Sequence, residues 1–228
     1  MKILLVAPDI STKQENQNDF VYFSSLVNKK SKKRTGHKLG VLPLALPTLA
    51  ALTPSEFDVR IVDENIEDID FDAPVDIVGI TFLTCFARQG YELADKFRDA
   101  GAHVAIGGVH VTMCVEEALQ HADTVFVGEA EDTWGVFLED FKRGEPRRLY
   151  EPEKRPDLRR PVIPRWDLVK NEYYRSNLVQ TSRGCYFDCD FCCVPRYVGP
   201  LRNKPVDNVI EEIKATKSYG RVPGIHYV

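Results

Sequence analysis

Three cysteines, Cys185, Cys189 and Cys192, fall within one run, Arg183-Gly184-Cys185-Tyr186-Phe187-Asp188-Cys189-Asp190-Phe191-Cys192, separated by three residues and then two, with an aromatic just before the last. Thiolate is the soft ligand that iron-sulfur clusters require, and three thiolates on one short loop can hold three corners of a cubane cluster. The fourth iron is then left open, which serves simple electron transfer poorly and suits the binding of a substrate or cosubstrate. A zinc site or a set of buried free thiols are the competing readings of the same residues. Structural zinc takes four protein ligands, often as two short pairs well apart in sequence. Cys193, adjacent to Cys192, is badly placed to be the fourth ligand of the same ion. Spacing and context therefore favour the cluster.

This Cys-x-x-x-Cys-x-aromatic-Cys run resembles the motif of the radical S-adenosylmethionine (radical SAM) enzymes. The resemblance implies that Cys185, Cys189 and Cys192 ligate a 4Fe-4S cluster whose free iron takes the amino and carboxylate groups of S-adenosylmethionine, with Phe191 packed near the adenine. It also implies that one electron, delivered by a reductant such as a flavodoxin or ferredoxin, cleaves the sulfonium and yields a 5'-deoxyadenosyl radical, chemistry that belongs to the cofactor.

The elements that must position this loop are bounded by the bulk properties. At 228 residues there is room for one large or two small domains, and 43% hydrophobic with 28% charged residues is the balance of an ordinary globular chain. A net charge of -4 gives no electrostatic case for a nucleic-acid partner, and the basic run Lys29 to Arg34 lacks aromatics and reads as a solvated loop. No apolar run reaches the roughly 18 residues of a membrane span, and the apolar start, broken at Pro8, is too short for a secretory signal. Six cysteines, three of them clustered, fit a reducing compartment, so a cytoplasmic location is expected.

Five apolar runs read as strands of a parallel sheet buried on both faces: Lys2 to Ala7, Val59 to Val62, Ile77 to Phe82, Val104 to Ile106, and Thr124 to Val127. Helical spacing occupies the stretches between them: Leu44 to Leu52, Phe86 to Asp99, Val115 to Gln120, and Thr133 to Lys142. The alternation predicts an α/β fold with a doubly wound, five-stranded parallel sheet of order 2-1-3-4-5, Rossmann-like, with its ligand at the carboxyl ends of the strands. The loop tips there are Thr81-Phe82-Leu83, Gly107-Gly108-Val109-His110-Val111-Thr112 and Gly128-Glu129-Ala130-Glu131. Glycines at such tips admit a bulky ligand and supply amide donors, although the same residues also serve ordinary turns.

Residues 1 to about 143 resemble the cobalamin-binding domain that precedes the radical domain in one large class of radical SAM enzymes. Thr81 and Leu83 are similar to its Ser/Thr-x-Leu element, Gly107 and Gly108 to its paired glycines at the nucleotide tail, and Gly128 and Glu129 to its Gly-Glu-x-Glu element. His110 and Thr112 are expected among the cobalamin contacts. The Asp-x-His-x-x-Gly motif that supplies a lower axial histidine in other cobalamin domains is absent, Asp9 to Gln14 standing in its place. Cobalt is therefore expected without a histidine from that motif, and His110 as a backbone or tail hydrogen-bonder. The long polar stretch from Ile10 to Gly40 reads as an insertion, and Cys85 and Cys114 as small buried apolar residues.

From 144 to 175 prolines exclude a helix or central strand, so an extended connector is expected, with Trp166, Tyr173 and Tyr174 pinning it to a domain surface. Residues 176 to 228 then resemble the start of a radical SAM partial (β/α) barrel: a strand at Leu178 to Thr181, the cysteine loop at its carboxyl end, an amphipathic helix from Pro205 to Tyr219, and a second strand opening at Gly224. About one and a half barrel units are present, which reads as a fragment of a longer enzyme, expected to bind its cluster but to cleave S-adenosylmethionine poorly. The function implied is methyl transfer, or radical rearrangement or cyclisation, on a small-molecule or natural-product substrate that nothing in the chain selects. A methylthiotransferase acting on RNA or protein, or a non-catalytic cobalamin-binding fragment, are the alternatives.

Overall fold

The computed structural model describes residues 1–9, 42–218 and 225–227. The expected insertion, most of the stretch standing where the axial-histidine motif would be, and the end of the last helix lie outside the described residues.

The first module alternates strands and helices: β1 Lys2–Ala7, α1 Ala45–Leu52, β2 Asp58–Asp63, β3 Ile77–Thr81, α2 Ala87–Asp99, β4 His103–Gly107, α3 Val109–Met113, α4 Val115–His121, β5 Thr124–Phe126, α5 Trp134–Lys142 and β6 Leu149–Tyr150. The sheet is entirely parallel and six-stranded, in the order β2-β1-β3-β4-β5-β6. Side chains alternate faces along a strand, and both faces are covered. Ile3, Leu5, Ile77, Ala105 and Phe126 pack toward α1 and α5 with Leu46, Trp134, Phe137 and Leu138. Val6, Val78, Ile80, Val104, Ile106 and Val125 pack toward α2 and α4 with Leu93, Phe97 and Ala118. Such two-sided burial is why the strands read as unbroken apolar runs. Helix α2 ends where Gly101 takes φ 86°, its amide donating to the Arg98 carbonyl at 2.9 Å while the Ala102 amide donates to Phe97 at 3.0 Å, a left-handed cap.

Two elements depart from expectation. The five-strand order is as read, but β6 adds a sixth strand from within the proline-rich segment, Leu149 and Tyr150 pairing with Val125 and Phe126. It is two residues long, too short for any periodicity to show. It is held by the buried Tyr150 ring, stacked on Phe126 at 5.4 Å with its hydroxyl donating to Asp140 Oδ2 at 2.8 Å. Helix α3 occupies residues read as a loop tip. Its Val109, Val111 and Thr112 are poor helix formers, and tertiary burial of Val111 outweighs that preference.

After β6 the chain runs extended to two single turns, and Trp166 and Tyr174 are buried in the core on the α1/α5 side. The Tyr174 hydroxyl donates to Asp63 Oδ2 at 2.6 Å, fastening the segment to the end of β2. The second module holds β7 Asn177–Val179, β8 Ser182–Arg183, α6 Val194–Tyr197, β9 Arg202–Asn203, α7 Val206–Ser218 and β10 Ile225–Tyr227. Strands β7 and β10 pair in parallel across α7, which is one β-α-β unit. Strands β8 and β9 form an antiparallel pair, and the cysteine loop and α6 lie between them. Among the described residues no helix is long and apolar enough to cross a membrane.

Candidate functional site

The cysteine loop springs from β8 through Gly184, whose φ is 91°. A Cβ at that position would lie 2.2 Å from the Pro200 carbonyl oxygen and 2.5 Å from that of Gly199, so only glycine lets the loop close on its own return limb. The Cys185 amide then donates to the Gly199 carbonyl at 3.2 Å, and the Cys192 amide to the Cys189 carbonyl at 2.9 Å. The Phe187 amide points at Cys185 Sγ from 3.5 Å, the type of donor that steadies a cluster thiolate. All three cysteines are free: Cys185 and Cys192 are half-buried and Cys189 is exposed. Cys193 is turned into the start of α6, its carbonyl accepting from the Arg196 and Tyr197 amides. Around the thiols Tyr186, Phe187 and Phe191 are exposed, Phe191 at 93%. Three thiols on one loop with a backbone donor to sulfur are a donor set that fits a 4Fe-4S cluster.

At the carboxyl ends of β3 and β4 lies a cavity of about 230 Å³. Its floor is made by Gly79, Ala105 and Gly107, its apolar wall by α1 and Trp134, and its far side by Gln180, Arg183, Tyr197 and Val198 of the second module. A floor of small residues leaves room for a flat ring to come down onto the sheet, the one feature of the lining that would suit a cobalamin. Of the residues expected there, Thr81, Gly107, Gly108 and Glu129 line it. Gly108, at φ 110°, is held so close that a Cβ would sit 2.8 Å from Thr81 Oγ1 and 2.9 Å from the Phe82 carbonyl oxygen. Thr112 and Gly128 act on each other, the Gly128 amide donating to Thr112 Oγ1 at 2.8 Å and fixing the turn that carries Glu129. Leu83 points outward, 40% exposed, and Phe191 belongs to the cysteine loop, not the cavity wall. His110 is buried on the other face of the sheet, against Phe82 and Tyr91. Cys85, read as buried, is exposed because Phe86 takes the inward position of that short turn.

Sequence reasoning gave no role to Arg183 or Arg202. Glu129, with a side chain 8% exposed, accepts from Arg183 Nη1 at 2.8 Å and from Arg202 Nη1 at 3.2 Å, and Arg183 Nη2 reaches Glu131 at 2.5 Å. Burial works against the Arg183 charge, but Glu131 and Glu129 outweigh it and raise its pKa above the ordinary value. Burial, with the same two acids, pushes the Tyr197 hydroxyl up to about 12 and keeps it neutral. The Gly-Glu-x-Glu acids therefore clamp the roots of the cysteine loop. The position of Arg183 directly before Gly184-Cys185 was the available signal; Arg202 had none.

No family model matches the chain. It is 34% identical over 164 residues to the bacteriochlorophyllide d C-8(2)-methyltransferase of Chlorobaculum tepidum, covering 68% of this chain and 36% of that protein. It is also 34% identical over 145 residues to a putative methylthiotransferase of Methanocaldococcus jannaschii, covering 58% and 32%. Among solved structures, the cobalamin-dependent S-adenosylmethionine radical enzyme OxsB with aqua-cobalamin bound superposes with a TM-score of 0.71 at 16% identity, covering all of this chain and 33% of that one. The chain thus spans about a third of the length of the curated relatives it matches. In sequence the chain is thus similar to a methyltransferase over about two thirds of its length, and in fold it is similar over its whole length to a cobalamin-dependent S-adenosylmethionine radical enzyme.

Proposed function

We propose that Cys185, Cys189 and Cys192 hold a 4Fe-4S cluster with S-adenosylmethionine beside Phe191, that the cavity holds cobalamin, and that the two serve methyl transfer to a small-molecule substrate. Bound together, these groups supply reductive cleavage of the sulfonium and a carrier for the methyl group. The chain's own residues hold and screen. Gly184 lets the loop fold back, the Phe187 amide steadies the Cys185 sulfur, and Trp134 with the leucines of α1 keeps water from the cavity. The observation that carries the reading is Arg183, which lines the cavity, ties Glu129 to its wall, and stands two residues before Cys185. A reductant such as a flavodoxin or ferredoxin would supply the electron.

The putative methylthiotransferase among the relatives keeps a second reading in view. A second cluster in the first module would need its own thiolates, and Cys85 and Cys114 are all that module has. Anaerobic reconstitution separates the two. About four irons per chain, together with saturable binding of added cobalamin followed by absorbance, supports the proposal. About eight irons without cobalamin binding favours the methylthiotransferase, and neither iron nor cobalamin overturns both.

A further inference from the structure

Helices α3 and α4 meet at Cys114, and the spacing of four and then three residues brings His110, Cys114 and Glu117 onto one side of the pair. Their ligand atoms all lie within 4.8 Å of one another, the group of three that does so among the described residues. His110 is 6% exposed, yet neither ring nitrogen has a hydrogen-bond partner. An unsatisfied buried polar group is costly, so an occupant that uses one of these nitrogens would remove a real penalty. His110 Nε2 faces Glu117 Oε1 across 3.6 Å, longer than a hydrogen bond should be. That gap suits two ligands on one ion: bonds of about 2.0–2.2 Å at a roughly tetrahedral angle place the two atoms about 3.3–3.6 Å apart. The rings of Phe82, at 6.0 Å, and Tyr91, at 5.7 Å, hold the imidazole in place.

We propose that His110, Cys114 and Glu117 form a site for a zinc-class divalent cation, separate from both the cysteine loop and the cavity. Imidazole, thiolate and carboxylate together are a donor set that zinc accepts and that magnesium or calcium does not. Half of the Glu117 side chain is exposed, at 52%, which gives an ion an entry path and leaves a fourth position for water. On binding, the Cys114 thiol gives up its proton to solvent. An ion there would tie α3 to α4 and stiffen the turn through Gly108, which borders the cavity on the opposite face of the sheet.

Cobalt(II) is the probe, because a thiolate bound to it gives a charge-transfer absorption that imidazole and carboxylate alone do not. The loop cysteines would also take cobalt, so the titration uses the full chain carrying Cys185→Ala, Cys189→Ala and Cys192→Ala. One equivalent should bind with that absorption, and Cys114→Ser should abolish it. Glu117→Gln, at a half-exposed position that should not disturb folding, should weaken binding by about tenfold or more. Absence of the thiolate band in the triple variant, or a band that survives Cys114→Ser, overturns the site and leaves the His110 nitrogens to a buried water.

Discussion

At the scale of single residues, the site depends on positions where a side chain is impossible. Gly184→Ala sets a Cβ 2.2 Å from a backbone oxygen at φ 91°, where neither partner is a flexible side chain that can swing aside. The left-handed conformation alone costs about 1–2 kcal/mol for an ordinary residue. The clash adds to it and must push the Gly199–Pro200 limb away from Cys185. Gly184→Ala should therefore reduce iron bound after reconstitution several-fold, measured as iron per chain. Gly101→Ala is the control: φ is 86° but the space around it is open, so it should cost about 1 kcal/mol in urea unfolding and leave the iron count unchanged. Equal iron in both variants would mean that the loop closes without Gly184.

At the scale of elements, the connector after β6 behaves as part of the first module, and one hydrogen bond shows how. Asp63 is buried at the end of β2; burial raises its pKa, while donation from Tyr174 and Asn65 pulls it partly back. Tyr174, its own pKa raised well above the ordinary value by burial first and then by Asp63, stays neutral and donates. Because the Asp63 carboxyl is harder to ionise in the fold than in the unfolded chain, its contribution to stability is fully present below the unfolded pKa. It is lost as pH rises through the raised folded one. Tyr174→Phe removes a donor to the charged form and pushes that pKa higher still. The loss of stability, about 1.5–3 kcal/mol for a bond to a charged group, should thus be larger at pH 7 than at pH 4. Urea unfolding of both proteins at the two pH values checks this, and an equal loss at both would remove Asp63 from the account.

At the scale of the whole molecule, the joint between the modules is ionic and buried. Arg183 is 15% exposed, Glu129 8% and Glu131 16%, so salt screens them little. Taking one member away strands the others: Arg183→Met leaves Glu131 without its partner and Glu129 with Arg202 alone. Breaking such a buried pair costs about 3 kcal/mol. If the joint positions the cysteine loop and the cavity as well as stabilising them, and these hold the groups proposed, Arg183→Met should also weaken cobalamin binding and iron retention together. Arg183→Lys, which keeps the charge but loses the two-pronged geometry, should recover only part of either. Iron retained at the wild-type level in Arg183→Met, with cobalamin binding unchanged, would reduce the joint to a structural contact.

Much of this architecture was legible in the order of residues. Two-sided burial writes itself as unbroken apolar runs, so five of the six strands of the first sheet could be read directly. The thiolate spacing and the tip glycines are local, and local geometry is what spacing encodes. Strand β6 was hidden because two residues carry no period, and α3 because burial of Val111 outweighs the weak helix preference of its sequence. The pairing of Glu129 with Arg183 joins residues 54 apart, and with Arg202 residues 73 apart. Only the docking of one module on the other could make an acid that lines the cavity also the brace of the cysteine loop. His110 met the same fate: its neighbours in sequence are the glycines of the cavity, but the turn into α3 carries its ring through to the opposite face of the sheet, where Cys114 and Glu117 wait one and two helical turns away.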